Sequence, residues 1–311
     1  MSRVADGAWP GPLVGVDWLG THLGAEDLVV LDASVGAHRR KGPWIPGARI
    51  FDIDGEMSAH GEGLAPHTRP SAEQFVARVK AWGVRETDRL VVYDAVGIYS
   101  CARAWWMLRA TGFERVAVLD GGLPGWIAAG LPVDTEPVDA QPVDAQPVDA
   151  QPVNAEPGNA HEVRAEVAAP ATGAVRERPG AFVGRAEVEA ALEDGRSVVL
   201  DARSRGRFAG TEPEPRAGLR AGHMPGAVNL PFGELQDGHG RMRPAAELRA
   251  RFDDVADAGR PLVVSCGSGV TACVLALGAE LAGRGDVSVY DGSWSEWGLE
   301  GAETPVATGE N

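Results

Sequence analysis

Cys266 closes a short apolar run, Leu262-Val263-Val264-Ser265, and is followed by Gly267-Ser268-Gly269-Val270-Thr271 and a helix-forming stretch that begins near Ala272. A strand that ends in a glycine-containing turn and passes into a helix surrounds a side chain with free backbone N–H groups and the positive end of a helix dipole. Both favour the thiolate, the nucleophilic form of cysteine. The competing use of cysteine is as a small buried apolar group. Glycines on both sides of Ser268 would serve no purpose around a packing thiol, because their value lies in backbone conformations and close approaches closed to other residues. The residue types therefore point to a reactive sulfur in an anion-stabilising cradle, without a metal.

The elements that must position this cysteine occur twice. Leu90-Val91-Val92-Tyr93-Asp94 aligns with Leu262-Val263-Val264-Ser265-Cys266, and seven residues further on Cys101 aligns with Cys273. Val116-Ala117-Val118-Leu119-Asp120-Gly121-Gly122 aligns with Val287-Ser288-Val289-Tyr290-Asp291-Gly292-Ser293, and Val29-Val30-Leu31-Asp32-Ala33 repeats identically as Val198-Val199-Leu200-Asp201-Ala202. Ile45-Pro46-Gly47-Ala48 matches Met224-Pro225-Gly226-Ala227. Within each copy, short β-branched runs alternate with helical patterns at 72–82, 103–110, 187–192 and 271–282, which predicts an α/β fold with a parallel sheet flanked by helices. In such sheets the loops at the carboxyl ends of strands carry the chemistry. Where the second copy has Cys266 the first has Asp94, and its loop, Ala95-Val96-Gly97-Ile98-Tyr99, lacks the second glycine.

A length of 311 residues fits about two domains. No apolar run approaches the ~18 to 20 residues that span a bilayer, and residues 1–12 lack the basic start and apolar stretch of a secretory signal, so a cytoplasmic location is expected. Three cysteines do not make a disulfide framework, and no Cys-x-x-Cys or His-x-x-x-His pair offers metal spacing. The net charge of −15 argues against nucleic acid and anionic membranes as partners. Much of it is local: residues 134–166 hold eight acids against Arg164 alone. From Glu136 the chain repeats Pro-Val-Asp-Ala-Gln with prolines at 137, 142, 147 and 152, a pattern that buries no core and favours extended backbone. It reads as a solvated spacer.

Cys266-Gly267-Ser268-Gly269-Val270-Thr271 resembles the active-site loop of 3-mercaptopyruvate sulfurtransferases, in the rhodanese superfamily. The resemblance extends through Gly206-Arg207-Phe208, Thr211-Glu212-Pro213-Glu214-Pro215-Arg216, Gly222-His223-Met224-Pro225-Gly226-Ala227-Val228-Asn229 and Tyr290-Asp291-Gly292-Ser293-Trp294, and in the first half through Phe51-Asp52-Ile53-Asp54 and Arg103-Ala104-Trp105-Trp106-Met107. It implies two tandem rhodanese-like domains: a catalytically silent one at 11–133, a linker at 134–179 rich in proline, alanine and aspartate, and a catalytic one at 180–302. It also implies an enzyme without cofactor or metal. That enzyme moves sulfane sulfur from a small-molecule donor, 3-mercaptopyruvate, through a Cys266 persulfide to thioredoxin, a small thiol or cyanide.

Further residue roles follow from the resemblance. Arg207 and Arg216 match the substrate-binding arginines, whose forks suit a carboxylate and an adjacent ketone oxygen; the alternative is salt bridging with Glu212 or Glu214. Gly267, Gly269, Val270 and Thr271 form the substrate-side loop, and the Thr271 hydroxyl is equally suited to capping the helix. Ser268 is expected to act with His67 and Asp54 from the silent half, with His60 as the competing histidine. Cysteine-loop phosphatases also place a thiolate before a helix, but need an arginine that holds phosphate bidentately, and this loop has no basic residue. The same neutrality favours mercaptopyruvate over the compact dianion thiosulfate. A sulfur-carrier or redox-regulatory module is the remaining alternative. His223 and Cys273 are expected to be structural, and Trp294 either packs or lines the cleft.

Deleting residues 139–151 should leave folding and turnover within about twofold of wild type, because removing part of a long solvated loop changes its closure entropy little. A tenfold loss of activity in folded protein would give the repeat a function.

Overall fold

In a computed structural model the described residues are 9–138 and 176–309; most of the acidic spacer lies outside them. The strands are β1 (Leu13–Val14), β2 (Leu28–Asp32), β3 (Arg49–Ile50), β4 (Arg89–Tyr93) and β5 (Val116–Leu119), then β6 (Phe182–Val183), β7 (Val198–Asp201), β8 (Val228–Asn229), β9 (Leu262–Ser265) and β10 (Val287–Tyr290). They form two five-stranded sheets of the same order, β1-β5-β4-β2-β3 and β6-β10-β9-β7-β8. Every pairing is parallel. The duplication read from the sequence is thus a duplication of topology. The central strands β4 and β9 are apolar and almost entirely buried, as expected of strands covered on both faces.

The helices are α1 (Val16–His22), α2 (Ala72–Ala81), α3 (Cys101–Ala110), α4 (Gly122–Ala128), α5 (Arg185–Asp194), α6 (Arg205–Ala209), α7 (Ala245–Asp253), α8 (Ala272–Leu281) and α9 (Ser293–Trp297). Helix α2 begins at a capping box in which Ser71 and Gln74 satisfy each other's backbone N–H groups. Helices α3 and α8, each following the loop at the end of its central strand, are buried nearly all round. A helix with no polar face needs partners on every side. Here each helix finds its own sheet on one side and the other helix across the seam, so one apolar cluster runs through both copies, from Leu31 and Trp105 to Val264 and Leu277. Trp105 and Trp106 lie at this seam, where full burial of a large apolar side chain contributes roughly 1.5 to 3 kcal/mol. Arg109 Nη1 and Glu280 Oε1 close its rim at 2.9 Å. Among the described residues no helix is long and apolar enough to cross a membrane.

Candidate active site

Cys266 follows β9 directly, and its backbone is held on both sides by the start of α9. Its N–H donates to Ser293 Oγ at 3.1 Å, its carbonyl accepts from the Trp294 N–H at 3.0 Å, and the Gly267 carbonyl accepts from the Ser295 N–H at 2.8 Å and Oγ at 2.7 Å. Gly269 sits at φ +74°, and a Cβ there would stand 2.8 Å from the Asp291 carbonyl oxygen. Only glycine fits both the conformation and the space. The N–H groups of residues 267–271 donate to no acceptor among the described residues. Thr271 stands at the helix N-cap, but its hydroxyl caps nothing and instead borders the cavity, so the capping alternative is not realised.

The first copy shows what this loop geometry holds. Asp94, aligned with Cys266, accepts N–H bonds from Val96 at 3.1 Å, Tyr99 at 2.9 Å and Cys101 at 3.0 Å. The same turn in the same fold is therefore filled by a carboxyl group. Burial nonetheless raises the Asp94 carboxyl above the ordinary carboxylate range, with the N–H bonds opposing that shift.

Ser268, His67 and Asp54 meet in space although the serine lies 201 residues from the histidine. His67 Nδ1 is 2.9 Å from Ser268 Oγ, and Nε2 is 2.8 Å from Asp54 Oδ1. A carboxylate beside Nε2 assigns the N–H to that nitrogen, which leaves Nδ1 to accept the serine proton. The other Asp54 oxygen accepts from the Gly36 N–H at 2.7 Å. Burial holds the imidazole below its usual 6.5, opposed by the Asp54 hydrogen bond and assisted by the Arg216 charge. His60, the competing histidine, is committed elsewhere, bonded to the Gly55 carbonyl, and the neighbouring Asp52 is paired with Arg39 and Arg40.

These groups line a cavity of about 350 Å³ that also takes in Cys266, Tyr99, Arg207 and Arg216. Arg207 is in part the salt-bridge partner that the sequence allowed: it meets Glu214 at 2.5 Å, while Glu212 bonds to Ser204. Glu214 is shared with the fully buried Arg203, itself paired with Asp201 at 2.6 Å. Arg207 is thereby held with Nη2 only 3.0 Å from where a Cβ on Gly267 would be. Arg216 has no hydrogen bond or ion pair among the described residues. Trp294 does not reach the cleft; it is fully buried, with the Arg203 guanidinium 4.3 Å from its ring centroid. His223 is buried against Phe208, and its Nδ1 bonds to that residue's carbonyl. No three His, Cys, Asp or Glu side chains among the described residues come together as a metal-binding set.

The model of the rhodanese-like domain matches residues 15–129 and again 185–300. The chain belongs to the rhodanese-like domain family. It is 38% identical over 309 residues to the mitochondrial thiosulfate/3-mercaptopyruvate sulfurtransferase 1 of Arabidopsis thaliana, covering 96% of this chain and 79% of that protein. It is 38% identical to the human 3-mercaptopyruvate sulfurtransferase, covering 92% of this chain and 91% of that protein. The crystal structure of SseA, an Escherichia coli 3-mercaptopyruvate sulfotransferase, superposes with a TM-score of 0.71 at 32% identity, over 92% of this chain and all of that one. The protein is a sulfurtransferase of the type that these family members represent.

Arg103, Tyr99 and Gly36 stand at the site although their residue types and spacing gave them no role there, and Glu214 enters only as the salt-bridge partner that the sequence allowed. Arg103 and Glu214 lie in strings that resemble the family, but nothing in their spacing says which neighbour each will meet.

Burial pushes the Cys273 thiol up to about 12 and raises Cys101 well above its ordinary range. Brief iodoacetamide treatment of the native protein should therefore modify Cys266 alone, with Cys101 and Cys273 labelled only after denaturation. Peptide mapping checks this, and native labelling of Cys273 would contradict it.

Proposed function

We propose that the protein transfers sulfur from 3-mercaptopyruvate through a persulfide on Cys266 to a thiol acceptor, thioredoxin or a small thiol, or to cyanide. In this reading the half at 180–302 is catalytic, the half at 11–133 is catalytically silent in carrying no nucleophile but walls the cleft and lends it His67 and Asp54, and residues 134–179 link them. The Cys266 thiolate attacks the donor's sulfur. An S–S bond forms as the C–S bond breaks, and the bonding pair leaves on carbon as the enolate of pyruvate. The proton of the donor's thiol passes through Ser268 and His67 to that carbon, so pyruvate departs and Cys266 carries S–S⁻. An acceptor thiol then takes the outer sulfur as its own persulfide, with its proton, and the Cys266 thiolate returns; cyanide leaves as thiocyanate. Free N–H groups at 267–271 stabilise charge on the two sulfurs in turn. A cytoplasmic location fits three unpaired cysteines.

The observation that carries the donor assignment is the charge of the cavity. Arg207 shares Glu214 with Arg203, so Arg216 is the cavity cation without an acidic partner among the described residues. One unpaired guanidinium suits a donor whose single charge is a carboxylate several bonds from the sulfur. A compact dianion calls for positive charge at the loop itself, and a basic side chain at 267 would meet Arg207 there.

Replacing Arg216 with Ala should cost mercaptopyruvate roughly 2 to 4 kcal/mol in kcat/KM, the expected loss for truncating a charged binding partner. Arg207→Ala should weaken the same donor, and thiosulfate should suffer less from both. Side-by-side kinetics with the two donors test this; a wild-type preference for thiosulfate, or two silent arginine variants, would sink it. A second expectation concerns pH. Neutral His67 is the form that accepts the serine proton, and burial keeps it neutral through its usual 6.5. The kcat for mercaptopyruvate should hold as pH falls to 6.5 and decline only below it, and His67→Ala should remove that acid limb.

A further inference from the structure

Arg103 lies on α3 of the first copy and is fully buried, yet its guanidinium serves the catalytic loop of the second. Nη1 donates to the Gly269 carbonyl at 3.3 Å, and Nη2 donates to the His67 carbonyl at 3.0 Å and to Asp291 Oδ1 at 2.5 Å. The second Asp291 oxygen accepts from the Arg69 N–H at 3.0 Å. One fork thus grips the backbone of His67 and the backbone beside Ser268, the two ends of the hydrogen bond between those residues. Asp291 extends the grip, since Ser293, two residues on, receives the Cys266 N–H. His67 needs such a hold, because its φ of +63° is unfavourable for a side chain with a Cβ.

We propose that Arg103, with Asp291 as its counter-ion, is the positioning residue that holds His67 against Ser268 across the seam between the two copies. This inference rests on the role given above to His67 and Ser268 in sulfur transfer. The geometry demands arginine in particular: a planar fork reaches three acceptors at fixed angles, whereas a lysine ammonium is a single point on a flexible stem. Arg103 makes no hydrogen bond to Cys266 and meets the loop only at the Gly269 carbonyl, so its loss should spoil the proton relay and leave the nucleophile in place.

The test is a double-mutant cycle with Arg103→Lys and His67→Ala, read as kcat for mercaptopyruvate and, separately, as the rate of Cys266 alkylation by iodoacetamide. Arg103→Lys should lower kcat by about 100-fold, the scale of a misplaced catalytic group, with KM changed little and Cys266 alkylation within about twofold of wild type. In the His67→Ala background the same substitution should cost nothing more. Should Arg103→Lys not fold, Asp291→Asn runs the same cycle, since it keeps the shape and removes the charge. An equal kcat loss in both backgrounds, an unchanged kcat, or alkylation falling in parallel would overturn the proposal while leaving the sulfur-transfer reading intact. If His67→Ala alone leaves kcat unchanged, the role of His67 is what fails, and this proposal falls with it.

Discussion

The site exists only because two copies of one fold are packed seam to seam. Neither copy holds a complete constellation: Cys266, Ser268, Arg207 and Arg216 come from the second, His67 and Asp54 from the first. What joins them is the contact of α3 with α8, two helices apolar on nearly every face that bury each other between the sheets. That burial sets the distance across which His67 reaches Ser268. A change that loosens the seam would leave both sheets standing and still pull the histidine from the serine.

Duplication also supplies an internal comparison. Both copies end their central strand in the same turn, with a positive-φ glycine at 97 or 269. One turn holds the Asp94 carboxyl in three backbone N–H bonds, and the other keeps its N–H groups open beside the Cys266 sulfur. A carboxyl group that fills its own cradle leaves no room for an incoming anion. The divergence of the two loops thus lies at the strand end, where Asp94 stands in one copy and Cys266 in the other, and in the residues that follow.

Much of this was legible in the sequence, for reasons that differ by residue. The strands at 28–32, 198–201 and 262–265 are short runs built on valine and leucine, as strands of a parallel sheet buried on both faces are, and the repeat of one such run identically at 29–33 and 198–202 gave away the duplication. Cys266 was legible because glycines around a thiol have few other uses. Arg103 was hidden, because the two arginines of a largely apolar helix, Arg103 and Arg109, both read as its wet edge, and only packing against a second domain turns Arg103 inward. The pairing of Arg207 with Glu214 rather than Glu212 was equally hidden, since both acids are close in sequence and the choice depends on the buried Arg203 that shares Glu214.

The central claim is that sulfur rests on Cys266 between donor and acceptor. Intact-mass and peptide analysis of protein mixed with 3-mercaptopyruvate, with no acceptor present, tests it most directly. The account predicts the gain of one sulfur atom per chain, located on Cys266, formed with release of pyruvate and lost on adding a thiol. No gain in mass during pyruvate release, or sulfur found on Cys101 or Cys273 instead, would contradict it.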